Sequence, residues 1–138
     1  MEKMRVTIAA GIILNREGTE VFITRRAAKA HQGGFWEFPG GKVEQDESPA
    51  TAVIRELDEE VGIKVKTVEP FLSLNHDYPD KSLSFDFFLV RDFTGEPFGR
   101  EGQPGQWVKL NELGRYDFPA ANGVVLEKME RELGENEQ

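Results

Sequence analysis

Three glutamates, Glu56, Glu59 and Glu60, crowd together in this chain, and Arg55 stands directly before them. Like charges spaced this way on a helix repel by roughly a few tenths of a kcal/mol per pair. A divalent cation among them would remove that repulsion. Clustered carboxylates with water and a backbone carbonyl suit a hard, oxygen-seeking ion, above all Mg²⁺, with Mn²⁺ as the alternative. Such an ion could bind pyrophosphate oxygens, offset their charge and acidify a bound water.

A helix must present these side chains, and the flanking residues predict one. Ser48 is a good N-cap, and Pro49 suits the first helical position, where its missing N–H costs nothing. Ala50, Val53, Ile54, Leu57 and Val61 recur at helical spacing as one apolar stripe. Gly62 then suits a left-handed C-terminal cap. At about 100° per residue the three glutamates share a different face from the stripe. The bland reading is a solvated acidic face. Three neighbours weigh against it. Pro39-Gly40-Gly41 predicts a loop that brings a backbone carbonyl close to a metal. Glu47, just before the helix, can accept from Arg55 and hold that loop against it.

Written out, Gly41 to Ile63 reads GKVEQDESPATAVIRELDEEVGI. This fits G-x5-E-x7-R-E-U-x-E-E-x-G-U, with U aliphatic, and so resembles the box of the Nudix hydrolases. The resemblance implies enzymes that cleave nucleoside diphosphates linked to another group. It also implies an α/β (α+β) fold, with a mixed β-sheet sandwiched between helices. The catalytic set it points to is Glu56, Glu47, Arg55 and Glu60, with Glu56 as general base and Glu60 as its rival. The metal ligands it points to are the Gly40 carbonyl, Glu56, Glu59, Glu60 and, from far along the chain, Glu101.

The likeness extends beyond the box to Phe22-Ile23-Thr24-Arg25-Arg26-Ala27-Ala28 with His31, and to Glu37-Phe38-Pro39-Gly40-Gly41-Lys42. Tyr78-Pro79-Asp80, Gly95-Glu96-Pro97, Glu101-Gly102-Gln103-Pro104-Gly105 and Asp117 to Asn122 continue it. These segments are similar to the MutT-type Nudix hydrolases, which convert 8-oxo-dGTP to 8-oxo-dGMP and pyrophosphate and keep the oxidised base out of DNA. The resemblance places Arg26, His31, Glu37, Phe38, Pro39, Gly40, Tyr78 and Asn122 against the nucleotide. Asn122 has a chemical rationale. Oxidation at C8 turns guanine N7 from an acceptor into a donor, and one asparagine amide complements N7–H and O6 together. Its bland alternative is an N-cap, since Asn122-Gly123 precedes a helical pattern. The alternative for Arg26 is a solvated strand-end charge and for His31 an exposed loop residue, while Phe38 and Tyr78 could equally be core aromatics. Lys81 stands where the family often carries Arg, and an ammonium cannot form the planar bidentate contact. The box reads pyrophosphate and not the rest of the substrate. Hydrolysis of ADP-ribose, dinucleoside polyphosphates or a pterin triphosphate, or a silent nucleotide-binding module, therefore stays open.

At 138 residues the chain suits one domain, expected over residues 1–133 with a polar tail at 134–138. It has no cysteine, which excludes disulfides, thiol catalysis and Cys-based zinc sites. A net charge of −8 argues against nucleic acid polymers but suits a free nucleotide brought in with metal. No charged-then-apolar leader or long apolar run is present, so a cytoplasmic protein without a membrane partner is expected; a monomer is the separate expectation for its oligomeric state. Strands are predicted at 5–14, 20–25, 36–38, 65–68, 71–74, 82–90 and 106–108. The one at 82–90 alternates as though a single face were buried. A second helix is predicted from Gly123 to Leu133, with Val125, Leu126, Met129 and Leu133 inward.

Overall fold

The computed structural model describes residues 4–27 and 34–133. Seven strands form one mixed sheet: β1 (Met4–Leu14), β2 (Glu20–Arg25), β3 (Trp36–Glu37), β4 (Gly40–Lys42), β5 (Lys64–Asp77), β6 (Lys81–Thr94) and β7 (Gly105–Lys109). The main path runs β3-β2-β1-β6-β5, with β4 paired to β1 and β7 to β2. The central β1–β6 pair is parallel, from Met4 opposite Lys81 to Ile13 opposite Val90. Helix α1 (Pro49–Val61) covers one face and α2 (Gly123–Glu132) the other.

α1 forms as its caps dictate. The Ser48 side chain accepts from the Thr51 N–H, Pro49 starts the helix, and Gly62 closes it at φ 73°. Each such cap contributes about 1 kcal/mol. The buried side chains are Ala52, Val53, Leu57 and Val61, so Ala52 takes the place expected of Ala50, which is only partly covered. Complete burial of a Leu57-sized side chain contributes about 2 kcal/mol.

Three strand expectations change. Segments 65–68 and 71–74 are one strand, β5, carried past Pro70 by register shifts. Proline is tolerated because β5 ends the sheet, so one side of its backbone needs no partner. Ser82 to Val90 belongs to a longer β6 that is buried on both faces in its middle, from Phe87 to Val90. Phe87 and Leu89 pack on the α2 side, while Phe88 and Val90 pack on the α1 side. Gly40 and Gly41 belong to β4 rather than to a loop. In α2, Val125, Met129 and Leu133 are buried and Leu126 is partly covered, as the periodicity requires.

Candidate active site

Arg55 ties three elements together. Its Nε and Nη2 donate to the two carboxylate oxygens of Glu47 at 2.6 and 3.0 Å, a bidentate pair. Nη2 also reaches the Lys42 carbonyl in β4 at 3.1 Å. Nη1 is left for Glu56 at 3.0 Å and Glu59 at 3.4 Å. Glu47 accepts from the Glu44 N–H as well, at 2.9 Å. The Arg55 hydrogen bond, then the Glu44 amide, hold the Glu47 carboxyl down to about 2. The expected Glu47–Arg55 contact is therefore present, and it fixes both the start of α1 and the end of β4.

The sheet side of the cleft is built by β4. Gly11 N–H bonds Pro39 O and Val43 N–H bonds Thr7 O, which makes Ala10 and Gly40 a non-hydrogen-bonded pair. The N–H and carbonyl of Gly40 therefore both point away from β1. The N–H donates to Glu60 Oε2 at 3.2 Å, so the carbonyl faces the same side. Neither glycine has room for a methyl group. A Cβ on Gly40 would lie 2.1 Å from the Ala9 carbonyl oxygen, and one on Gly41 2.4 Å from the Glu56 carboxyl carbon.

Four carboxylates, Glu56 and Glu60 from α1, Glu37 from β3 and Glu101 from the loop after β6, repel one another here. Glu60 is pushed up to about 8, first by burial, then by Glu37, Glu56 and Glu101, against the pull of the Gly40 N–H. Glu56 is raised chiefly by burial, with Arg55 opposing and Glu59 and Glu101 adding. Burial also raises Glu37, although Arg26 Nη1 bonds it at 2.9 Å. Glu59 is the outlying member, with its side chain 58% exposed. Glu101 arrives because the loop after β6 docks on the end of α1. Phe98 N–H bonds Val61 O at 3.1 Å and Arg100 N–H bonds Glu60 O at 3.0 Å.

The donor set fits a hard divalent cation. It offers carboxylates that raise each other's proton affinity, a carbonyl edge at Gly40, and the side-chain-free space at Gly41. Among the described residues no three acidic or histidine side chains already converge around one point. The reason is visible: Glu56 and Glu59 are drawn to Arg55, and Glu60 to the Gly40 amide.

The other face of the sheet carries aromatic surface. Phe38 is buried, stacks on Phe118 at 5.2 Å and 28°, and meets Phe87 edge-on at 6.0 Å. Phe85 lies alongside Phe87 and is partly covered. Asn122 ends a 3-10 turn, Ala120–Asn122, four residues after Phe118. It stands at the N-cap position of α2, as the alternative reading required, but its side chain makes no capping bond. Pro39 leads from Phe38 into β4, its carbonyl committed to Gly11.

Tyr78 is not brought to the carboxylates. It sits in the β5–β6 turn, its N–H on Lys81 O, with its ring against His76. Lys81 pairs with Met4, six positions along β1 from the Ala10 that faces Gly40 (10 − 4), or roughly 20 Å. His31 lies outside the described residues. Sequence reasoning missed Phe118, Phe85 and Gln103. The alternation of β6 already carried a signal for Phe85; nothing local marks the other two.

Residues 9–128 match the NUDIX domain family. This chain belongs to the Nudix family. The 8-oxo-dGTP diphosphatase of Escherichia coli is 50% identical over 127 residues, covering 92% of this chain and 98% of that protein. The Haemophilus influenzae 8-oxo-dGTP diphosphatase is 42% identical over 129 residues, covering 94% of each. A solved structure from a study of MutT from Aliivibrio salmonicida and Vibrio cholerae superposes with a TM-score of 0.80 at 51% identity. It covers 90% of this chain and 95% of that one. The Nudix fold anticipated from the box is thus the fold observed. No helix among the described residues is long and apolar enough to cross a membrane.

Proposed function

We propose that this Nudix hydrolase converts 8-oxo-dGTP to 8-oxo-dGMP and pyrophosphate, as a cytoplasmic monomer using Mg²⁺, and so clears an oxidised base from the nucleotide pool. Support comes from the carboxylate cleft, the stacked aromatic pair four residues before Asn122 in sequence, and relatives that carry this activity in their names over nearly their whole length. Mn²⁺ is the alternative ion. Glu56, Glu59, Glu60 and the Gly40 carbonyl would hold the ion, with Glu101 joining when substrate binds. Bound there, the ion neutralises pyrophosphate charge and acidifies water.

The protein's own groups supply the rest. A water attacks the β-phosphorus and the nucleoside monophosphate leaves. Glu56 takes the proton: Arg55 Nη1 occupies its Oε2, which leaves Oε1 to act as base. Glu60 is the rival base, but the Gly40 N–H already engages its Oε2. Glu47 and Arg55 work by fixing the helix start and β4. Arg26 sits at the strand end with Glu37, where a phosphate or base can exchange for part of its ion pair.

The observation that carries the substrate is that the Asn122 amide, four residues after Phe118 of the stacked pair, is not spent on capping α2. With 8-oxoguanine, its oxygen accepts from N7–H while its nitrogen donates to O6. Ordinary guanine leaves one of those groups facing a mismatched partner, and a site built on such a bond can reject the analogue by ~10⁴. The test compares kcat/KM for 8-oxo-dGTP and dGTP, in the parent and in Asn122→Ala. The parent should strongly favour the oxidised nucleotide, and the variant should lose most of that preference. Equal rates on both nucleotides in the parent would refute the role.

A further inference from the structure

We propose that Gln103 is a positioning residue whose side-chain amide sets the place of Glu101 against the α1 turn carrying Glu59 and Glu60. The inference rests on the reading of Glu101 as a member of the metal site. Gln103 Oε1 accepts from the Glu101 backbone N–H at 2.9 Å, and its Nε2 donates to the Glu60 carbonyl at 3.2 Å. One amide thus connects the backbone of one acidic residue to that of another, with Gln103 itself 43 positions from Glu60.

Glu101 needs this help. It is exposed, on a loop without regular structure, between Arg100 and a left-handed Gly102 at φ 89°. The loop is anchored upstream of it by Phe98 N–H on Val61 O and by Arg100 Nη1 on Asp58 O at 2.8 Å. Downstream, Gln103 supplies the matching anchor. The segment closes tightly on itself, since a Cβ on Gly99 would fall 1.7 Å from the Gln103 carbonyl oxygen. The last turn of a helix leaves carbonyls unpaired. Here the loop that completes them is the one that carries the extra carboxylate. Docking the helix end and placing Glu101 become a single event.

A plain capping role would explain the bond to Glu60 but not the simultaneous grip on the Glu101 amide. The two roles separate in a double-mutant cycle. The variants are Gln103→Ala, Gln103→Met (which keeps length but neither bond), Glu101→Gln, and each Gln103 change combined with Glu101→Gln. Mn²⁺ binding is read by electron paramagnetic resonance in the presence of α,β-methylene-dGTP, beside turnover of 8-oxo-dGTP and the melting temperature. Each Gln103 variant should weaken Mn²⁺ binding about tenfold, as loss of a group supporting a metal ligand commonly does. In the Glu101→Gln background the same changes should add little. If Gln103 and Glu101 losses multiply, or if the Gln103 variants bind Mn²⁺ normally, the positioning role is overturned. If Glu101→Gln itself binds Mn²⁺ and turns over like the parent, the reading of Glu101 fails first and the proposal with it.

Discussion

Because the guanidinium fork of Arg55 is committed to Glu47 and Lys42, Nη1 alone remains to share between Glu56 and Glu59. Of these two glutamates only Glu56 is largely covered, next to Gly41 and within the field of Glu59 and Glu101. It therefore has the raised proton affinity that a base needs at neutral pH. Glu56→Gln should keep the bond to Arg55 Nη1 through its amide oxygen and lower turnover by at least ~100-fold, the usual contribution of a positioned base. Nucleotide binding, read by equilibrium titration, should survive. A near-parental rate would transfer the proton to Glu60. Much of this residue-level picture was legible beforehand. Ser48, Gly62 and the Glu47–Arg55 pair act over one or two helical turns, so spacing alone reveals them. Glu101 was placed only by family likeness, and Gln103 not at all, because their partners lie about 40 positions upstream and no local rule links them.

β4 shows how an element can be misread when its residues are glycines. Propensity opposes strand at Gly40-Gly41, so the pair predicts a loop, yet both pair with β1. Tertiary demand decides the matter. β4 must lie flat against β1 on one side and leave the Glu56 carboxylate room on the other, and only side-chain-free residues allow both. The two positions should fail differently. In Gly40→Ala the new Cβ meets the backbone of Ala9 and Ala10, which cannot retreat, so stability should drop by ~1–3 kcal/mol or more. In Gly41→Ala the Cβ meets the end of the flexible Glu56 side chain. That chain can swing aside, leaving the fold near parental stability while turnover falls with the displaced base. Melting curves and turnover measured on both variants check the contrast. A fully active Gly41→Ala, or a Gly40→Ala that melts like the parent, would contradict it.

For the molecule as a whole, the sequence identified the two-layer covering of a mixed sheet but not the full length of β5 and β6, since Pro70 and the two-sided burial of β6 hide the strand period. That long parallel and antiparallel pairing holds β1 rigid beneath β4, and the cleft's charge is set on this frame. Its electrostatics give the metal-free protein a particular pH profile. Glu60 titrates at 4.5 in an ordinary environment and near 8 in the folded chain. Between those values the unfolded chain releases a proton that the folded chain retains, so stability falls as pH rises through this window. Glu37 and Glu56 shift in the same direction. Glu47 works oppositely: held down to about 2, it stabilises above 4.5 and that contribution is lost as pH falls from 4.5 toward 2. In chelator, the melting temperature should therefore peak near pH 5 (an estimate of order one unit) and decline toward pH 8. The matching loss of unfolding free energy should be on the order of 1–2 kcal/mol after solvent screening of a partly buried site. Glu60→Gln should remove most of it. Mg²⁺ should stabilise the parent more at pH 8 than at pH 5, because metal competes with protons for the same oxygens. A profile that is flat from pH 5 to 8 in chelator, and unchanged by Glu60→Gln, would mean that burial and the neighbouring carboxylates do not raise the Glu60 carboxyl in the folded protein.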